Sequence, residues 1–137
     1  MKKILVFAGL FFAVCLNAQK QADDIVGYYY SIDPFTKEPS QNYIYKTADN
    51  TYEGKVVWVL NPKLQFRVGY VFLKNLTFYK EDNEWRDGIM FYPGKKGTYK
   101  AYMSFVDGKL KVRGYWGISL FGMTLYWTKE AELRKTP

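Results

Sequence analysis

From Ile25 to Lys129 the chain runs in short segments where aromatic or β-branched residues alternate with polar ones, each ended by a residue suited to a turn. Nothing else in the sequence narrows the fold as much. A period of two sends successive side chains to opposite faces of a strand. The residues that fill this period, Tyr, Phe, Val, Ile and Thr, suit a half-buried sheet. Strands are expected at 25–32, 42–47, 52–60, 69–73, 75–81, 88–92, 98–106, 109–116 and 122–129. Turns are expected at Asp33-Pro34, Asp49-Asn50, Asp82-Asn83, Pro93-Gly94 and Asp107-Gly108, where each pair tolerates or favours turn geometry. The gaps are too short for the crossovers that parallel strands need. The expected fold is all-β, an antiparallel up-and-down barrel of eight to nine strands, which leaves none of its aromatic sheet as an exposed edge.

One strand is unusual. The stretch 110-LKVRGYWG-117 follows Asp107-Gly108, a strong two-residue hairpin signal, and so reads as a return strand. Leu110, Val112, Gly114 and Trp116 share one face, and Lys111, Arg113 and Tyr115 the other. An arginine beside a glycine and two aromatics has two readings. Facing inward, Arg113 must be neutralised by a carboxylate such as Asp87 or Glu53, or by an anionic ligand. Facing outward, it runs its stem along the surface or pairs for structure alone.

The first residues, 1-MKKILVFAGLFFAVCLNAQ-19, set a basic pair before an apolar run that is short for a membrane span, and end in a small-residue cleavage pattern. They read as a signal peptide, residues 1–18, leaving 19–137 as a single domain with no transmembrane span. The protein is then expected to be exported, periplasmic or secreted. The only cysteine, Cys15, leaves with the signal peptide, and the chain has no histidine. Thiol and imidazole chemistry, Ser-His triads and the usual zinc sites are therefore excluded. No metal, cofactor or enzymatic activity is expected. The formal charge of +7 would fit nucleic acid in a cytosolic protein, but an exported one rarely meets that partner. Solubility, an anionic ligand or an anionic envelope surface accounts for it better.

The runs 54-GKVVWVLNP-62, 85-WRDGIMFYP-93, 97-GTYKAYMSF-105, 110-LKVRGYWG-117 and 127-WTK-129, with Arg67 and Gly69, resemble the exported bacterial family of domain of unknown function 2147. The resemblance implies a lipocalin-like barrel and no settled activity. In such barrels an aromatic on the first strand lies under a cation from the last, which implies that Gly27, Tyr29, Trp127 and Lys129 close one end. The family's Gly-x-Trp is Gly27-Tyr28-Tyr29 here, its Asp-Pro is Tyr92-Pro93, and its final arginine is Lys129.

The function expected is binding of a small amphiphilic or apolar ligand within the barrel, without catalysis. Arg113 and Tyr115 are the expected polar anchors, with Trp58, Tyr99 and Tyr102 as aromatic wall. The alternative is an envelope module with a filled core that contacts a partner protein, a glycan or an anionic lipid. The apolar segment 117-GISLFGM-123, too long for a tight hairpin, has two readings: an exposed loop at one rim that gates a barrel mouth or touches a membrane or partner, or a loop buried over the barrel end.

Overall fold

The alternation along 109–115 survives in the folded chain. Leu110 and Val112 are buried against the interior, while Lys111 and Arg113 stand on the outer face. The computed structural model describes residues 21–118 and 120–136. The expected signal peptide lies outside the described residues.

Eight antiparallel strands follow one another around a closed barrel: β1 (Gly27–Ile32), β2 (Pro39–Lys46), β3 (Tyr52–Val59), β4 (Val71–Tyr79), β5 (Glu84–Met90), β6 (Tyr99–Val106), β7 (Lys109–Tyr115) and β8 (Gly122–Glu130). The ring shuts where β1 meets β8, with Tyr29 opposite Lys129. The segments 69–73 and 75–81, read as two strands, are one. Asn75 adopts a left-handed conformation at φ 62° inside β4, and the ladder to β3 shifts register there. Asp87 does the same in β5 at φ 63°, and Asn75 Nδ2 donates to the Asp87 carbonyl at 3.1 Å. Paired bulges bend both strands without ending them. β2 also starts earlier than expected, at Pro39, and β5 at Glu84.

One end of the barrel is filled. Tyr29, Tyr52, Leu76, Trp85, Met103 and Leu110 are each at most 1% exposed. A 3-10 turn, Asp23–Ile25, lies across this end and inserts Ile25 among them. Side chains of the barrel hold the turn. Tyr29 Oη donates to the Ile25 carbonyl at 2.8 Å, Trp85 Nε1 to the Ala22 carbonyl at 3.0 Å, and Lys129 Nζ to the Asp24 carbonyl at 2.7 Å. Tyr52 Oη donates to Asp23 Oδ1 at 2.5 Å. Burial, with Asp24 nearby, holds the Tyr29 phenol well above its usual range, so it stays a donor.

The C-terminal segment crosses the outside of the barrel. Gln41 donates to Glu130 Oε1 at 3.1 Å and to the Glu132 carbonyl at 2.9 Å, and accepts from the Arg134 amide at 3.0 Å. The Arg134 guanidinium lies over the rings of Tyr30 and Trp58 at 4.7 and 5.1 Å.

Tyr29→Ala should cost about 3–5 kcal/mol, the range for deleting a buried aromatic. Tyr29→Phe, which removes only the bond to Ile25, should cost about 1 kcal/mol. Urea denaturation of the three proteins measures both, and an alanine variant as stable as wild type would contradict the packing described.

Candidate functional site

The other end of the barrel is hollow. A cavity of about 460 Å³ opens there between four connections, residues 33–38, 60–70, 91–98 and 116–121. Its walls are apolar, with Val56, Phe72, Met90, Val112 and Leu125 pointing in, and Trp127 forms part of the lining. Trp127 separates cavity from core. It packs on Tyr29 at 6.2 Å and edge-on to Phe72 at 5.9 Å, and its buried Nε1 has no hydrogen-bond partner among the described residues.

One wall is polar and uncharged. Ser31 and Ser40, paired in the β1–β2 ladder, share a hydrogen bond at 3.1 Å, and Asn42 Nδ2 donates to Ser31 Oγ at 3.0 Å. The charged lining residues, Asp33, Glu38 and Arg67, belong to the mouth. A latch there joins three connections. Arg67 Nη1 donates to Asp33 Oδ2 at 3.0 Å, and Tyr92 Oη lies 3.0 and 2.9 Å from the two Asp33 oxygens. Asp33 also accepts from the amides of Phe35 and Thr36 at 2.8 and 2.9 Å, an arrangement its short side chain forms readily at the start of a turn. Burial pushes the Asp33 carboxyl upward, but these amides, the Tyr92 hydroxyl and the Arg67 charge together hold it below its usual range. Phe35 meets Tyr92 edge-on at 4.8 Å, and Lys95 Nζ lies 3.4 Å from the Phe35 ring centre. Gly122, where β8 leaves the rim, has no room for a side chain, since a Cβ would lie 2.2 Å from the Gly114 carbonyl oxygen.

The residues singled out in the sequence fall into three places. Tyr99 lines the cavity and Tyr115 reaches its rim. The expectation that Arg113 anchors a ligand inside the barrel is corrected. β7 turns Val112 and Gly114 inward, so Arg113 projects from the outer face, where it donates to Thr124 Oγ1 at 3.1 Å. Tyr102, opposite Arg113, shares that face and packs edge-on against Tyr115 at 5.9 Å. Glu53 and Asp87, weighed as its partners, accept hydrogen bonds from Tyr45 and Tyr79. Trp58 is likewise corrected as a wall residue. It is buried outside the barrel beneath the C-terminal segment, and its Nε1 donates to the Lys135 carbonyl at 2.9 Å. Gly27, Tyr29 and Lys129 meet at the filled end. The Lys129 ammonium lies 5.9 Å from the Tyr29 ring centre, and its stem passes 2.9 Å from where a Gly27 Cβ would sit.

Asp33, Tyr92 and Phe35 were not foreseen as site residues. Asp33-Pro34 signalled only a turn, and no spacing in the sequence ties it to Arg67 or Tyr92.

A closed eight-stranded antiparallel barrel, filled at one end and hollow at the other, is the architecture of a lipocalin-like protein. The family model for the uncharacterized proteins conserved in bacteria, DUF2147, matches residues 27–129, and the chain belongs to this family. Among solved structures it is similar to protein HP1028 from the human pathogen Helicobacter pylori, described as belonging to the lipocalin family. The TM-score is 0.65 at 15% sequence identity, covering 79% of this chain and 84% of that one. At that identity the likeness shows the fold alone. No curated protein matches. Among the described residues no helix is long and apolar enough to cross a membrane.

The latch makes stability depend on acid. Because Asp33 has a lower pKa folded than unfolded, its contribution is full above the unfolded value of about 3.9 and is lost as pH falls through the folded one. Asp33→Asn should therefore flatten the acid limb of the stability profile, read as urea midpoints from about pH 2 to pH 6. A variant whose midpoints fall with acid as steeply as wild type would contradict this assignment.

Proposed function

We propose that the protein is a non-enzymatic binder of a small apolar or amphiphilic molecule, exported to the cell envelope. The observation that carries this reading is the one-ended cavity, about 460 Å³ and walled mainly by apolar side chains. That volume and lining suit a small-molecule site. The lipocalin-like fold and the apolar residues 4–16 behind Lys2 and Lys3 support ligand binding and export respectively.

The wall also selects among ligands. Its Ser31, Ser40 and Asn42 side chains offer hydrogen bonds without charge, and the Arg67 charge is already matched by Asp33. An ionised headgroup carried inside would lose its hydration with no counter-charge to replace it. An apolar chain or ring bearing an uncharged hydroxyl, ester or amide fits better than a fatty-acid carboxylate.

Gly114 provides the test. It lines the cavity, and a Cβ built there meets only Met90 Sδ, at 3.6 Å. Gly114→Leu should fill the space and weaken binding of N-phenyl-1-naphthylamine, and its displacement by a monoacylglycerol, at least about tenfold while the fold persists. Arg113→Met, on the outer face, should bind as wild type does. The reading fails if the probe does not bind wild type, or if Gly114→Leu binds it undiminished.

A further inference from the structure

Fifteen large apolar side chains are exposed among the described residues, and twelve of them lie on the mouth connections or within two residues of them. The filled end contributes Val106 alone. The concentration is sharpest on the β7–β8 connection, where Trp116, Ile118, Leu120 and Phe121 are 75, 58, 78 and 65% exposed. Phe66, 72% exposed, stands at the same end on the 3-10 turn Pro62–Arg67. The connection is held in shape by its own backbone. The Trp116 amide donates to the Phe121 carbonyl at 2.9 Å, and the Phe121 amide to the Ile118 carbonyl at 3.0 Å. Ile118 and Leu120 project from the rim, and Trp116 and Phe121 edge the cavity mouth while staying mostly exposed; a cluster of that kind marks a contact surface.

Charge divides along the same axis. The mouth connections carry Lys37, Lys63, Arg67, Lys95 and Lys96 against Asp33 and Glu38, a surplus of three positive charges. The turns of the filled end carry Asp23, Asp24, Asp49, Glu81, Asp82 and Asp107 against Lys80, a surplus of five negative charges. Exposed apolar residues and basic charge thus coincide at one end, and acid is held at the other.

We propose that the protein docks mouth-first on an anionic lipid bilayer. Trp116, Ile118, Leu120 and Phe121 enter the headgroup and upper acyl region, where an indole ring is at its most favourable, and the lysines face lipid phosphates. A bilayer fits these observations better than a folded partner. The tips form an exposed cluster with lysines on the neighbouring connections, and a fluid surface needs no matching shape to receive it. The acidic end is repelled by the same lipids, which fixes the orientation. Docked this way the cavity opens onto the membrane, so an amphiphile could pass between them; that last consequence rests on the cavity reading above, and the docking does not.

The chain's own tryptophans supply the readout. Trp58, Trp85 and Trp127 are at most 7% exposed, leaving Trp116 as the one that lipid can reach. The apolar residues 4–16 could hold the chain on vesicles by themselves, so the measurement must be local to the loop. Quenching of Trp116 emission by acyl-brominated lipid is recorded on phosphatidylcholine vesicles, alone and with about a third phosphatidylglycerol. Strong quenching is expected on the anionic vesicles and little on the neutral ones. Leu120→Asp with Phe121→Asp should weaken the quenching partition tenfold or more. Lys95→Gln with Lys96→Gln should weaken it about thirtyfold, at about fivefold per lysine. All four residues are exposed, so neither change threatens the fold. Gly114→Leu should dock as wild type does, which separates failure of the docking from failure of the cavity. Trp116 unquenched on anionic vesicles, or either double variant partitioning like wild type, would overturn the proposal.

Discussion

The hydrogen bonds that tie the turn Asp23–Ile25 to the barrel interior decide what the rest of the molecule can be. An eight-stranded barrel is just wide enough for side chains to fill, so what covers each end decides how much of the interior water reaches. Here Tyr29, Trp85 and Lys129 each reach from the barrel to a backbone carbonyl of residues 22–25. The Ile25 carbonyl is buried and the Ala22 carbonyl partly so, and leaving such a group without a partner costs about as much as a lost hydrogen bond. Plugging one end lets Ile25, Leu76, Met103 and Leu110 pack to near-complete burial. It also leaves a single mouth for the cavity beyond Trp127.

The two ends are held by different chemistry. The filled end rests on large side chains in contact, so a truncation there is felt as lost volume and lost burial. The mouth is held by the latch of Asp33, Arg67 and Tyr92, which joins three connections through charge and hydrogen bonds. Such a latch keeps the rim in place without filling it. The bulges at Asn75 and Asp87 serve the same division, since they let β4 and β5 curve around the core without breaking the ring.

Much of this was legible in the chain, because a period of two records which side of a strand each residue faces. The assignment of Leu110, Val112 and Gly114 to one face and Arg113 and Tyr115 to the other is what the barrel shows. What alternation does not record is which face turns inward when one bears an arginine and an aromatic and the other a glycine. The glycine looked like a gap beside a site, and it is the cavity wall itself. From the sequence a new strand is expected to start at Asn75, whereas the barrel carries β4 through it as a left-handed bulge. Trp58 was placed inside because nothing local reveals that Lys135, distant in sequence, covers it from outside. The latch was invisible for the same reason, its members lying in three separate connections. The apolar run after Trp116 is legible in the sequence as a rim loop, either exposed or buried over the barrel end; its exposure and the charge division that gives it a direction emerge only in the folded chain.

The central claim is that apolar ligands enter the half of the barrel beyond Trp127 and leave the filled half untouched. Methyl NMR during titration with a monoacylglycerol tests it directly. Shifts at Val56, Met90, Val112 and Leu125 with none at Ile44, Leu76 or Leu110 are the result this structure predicts. Shifts confined to outer-face methyls, or spread equally through the filled end, would contradict it.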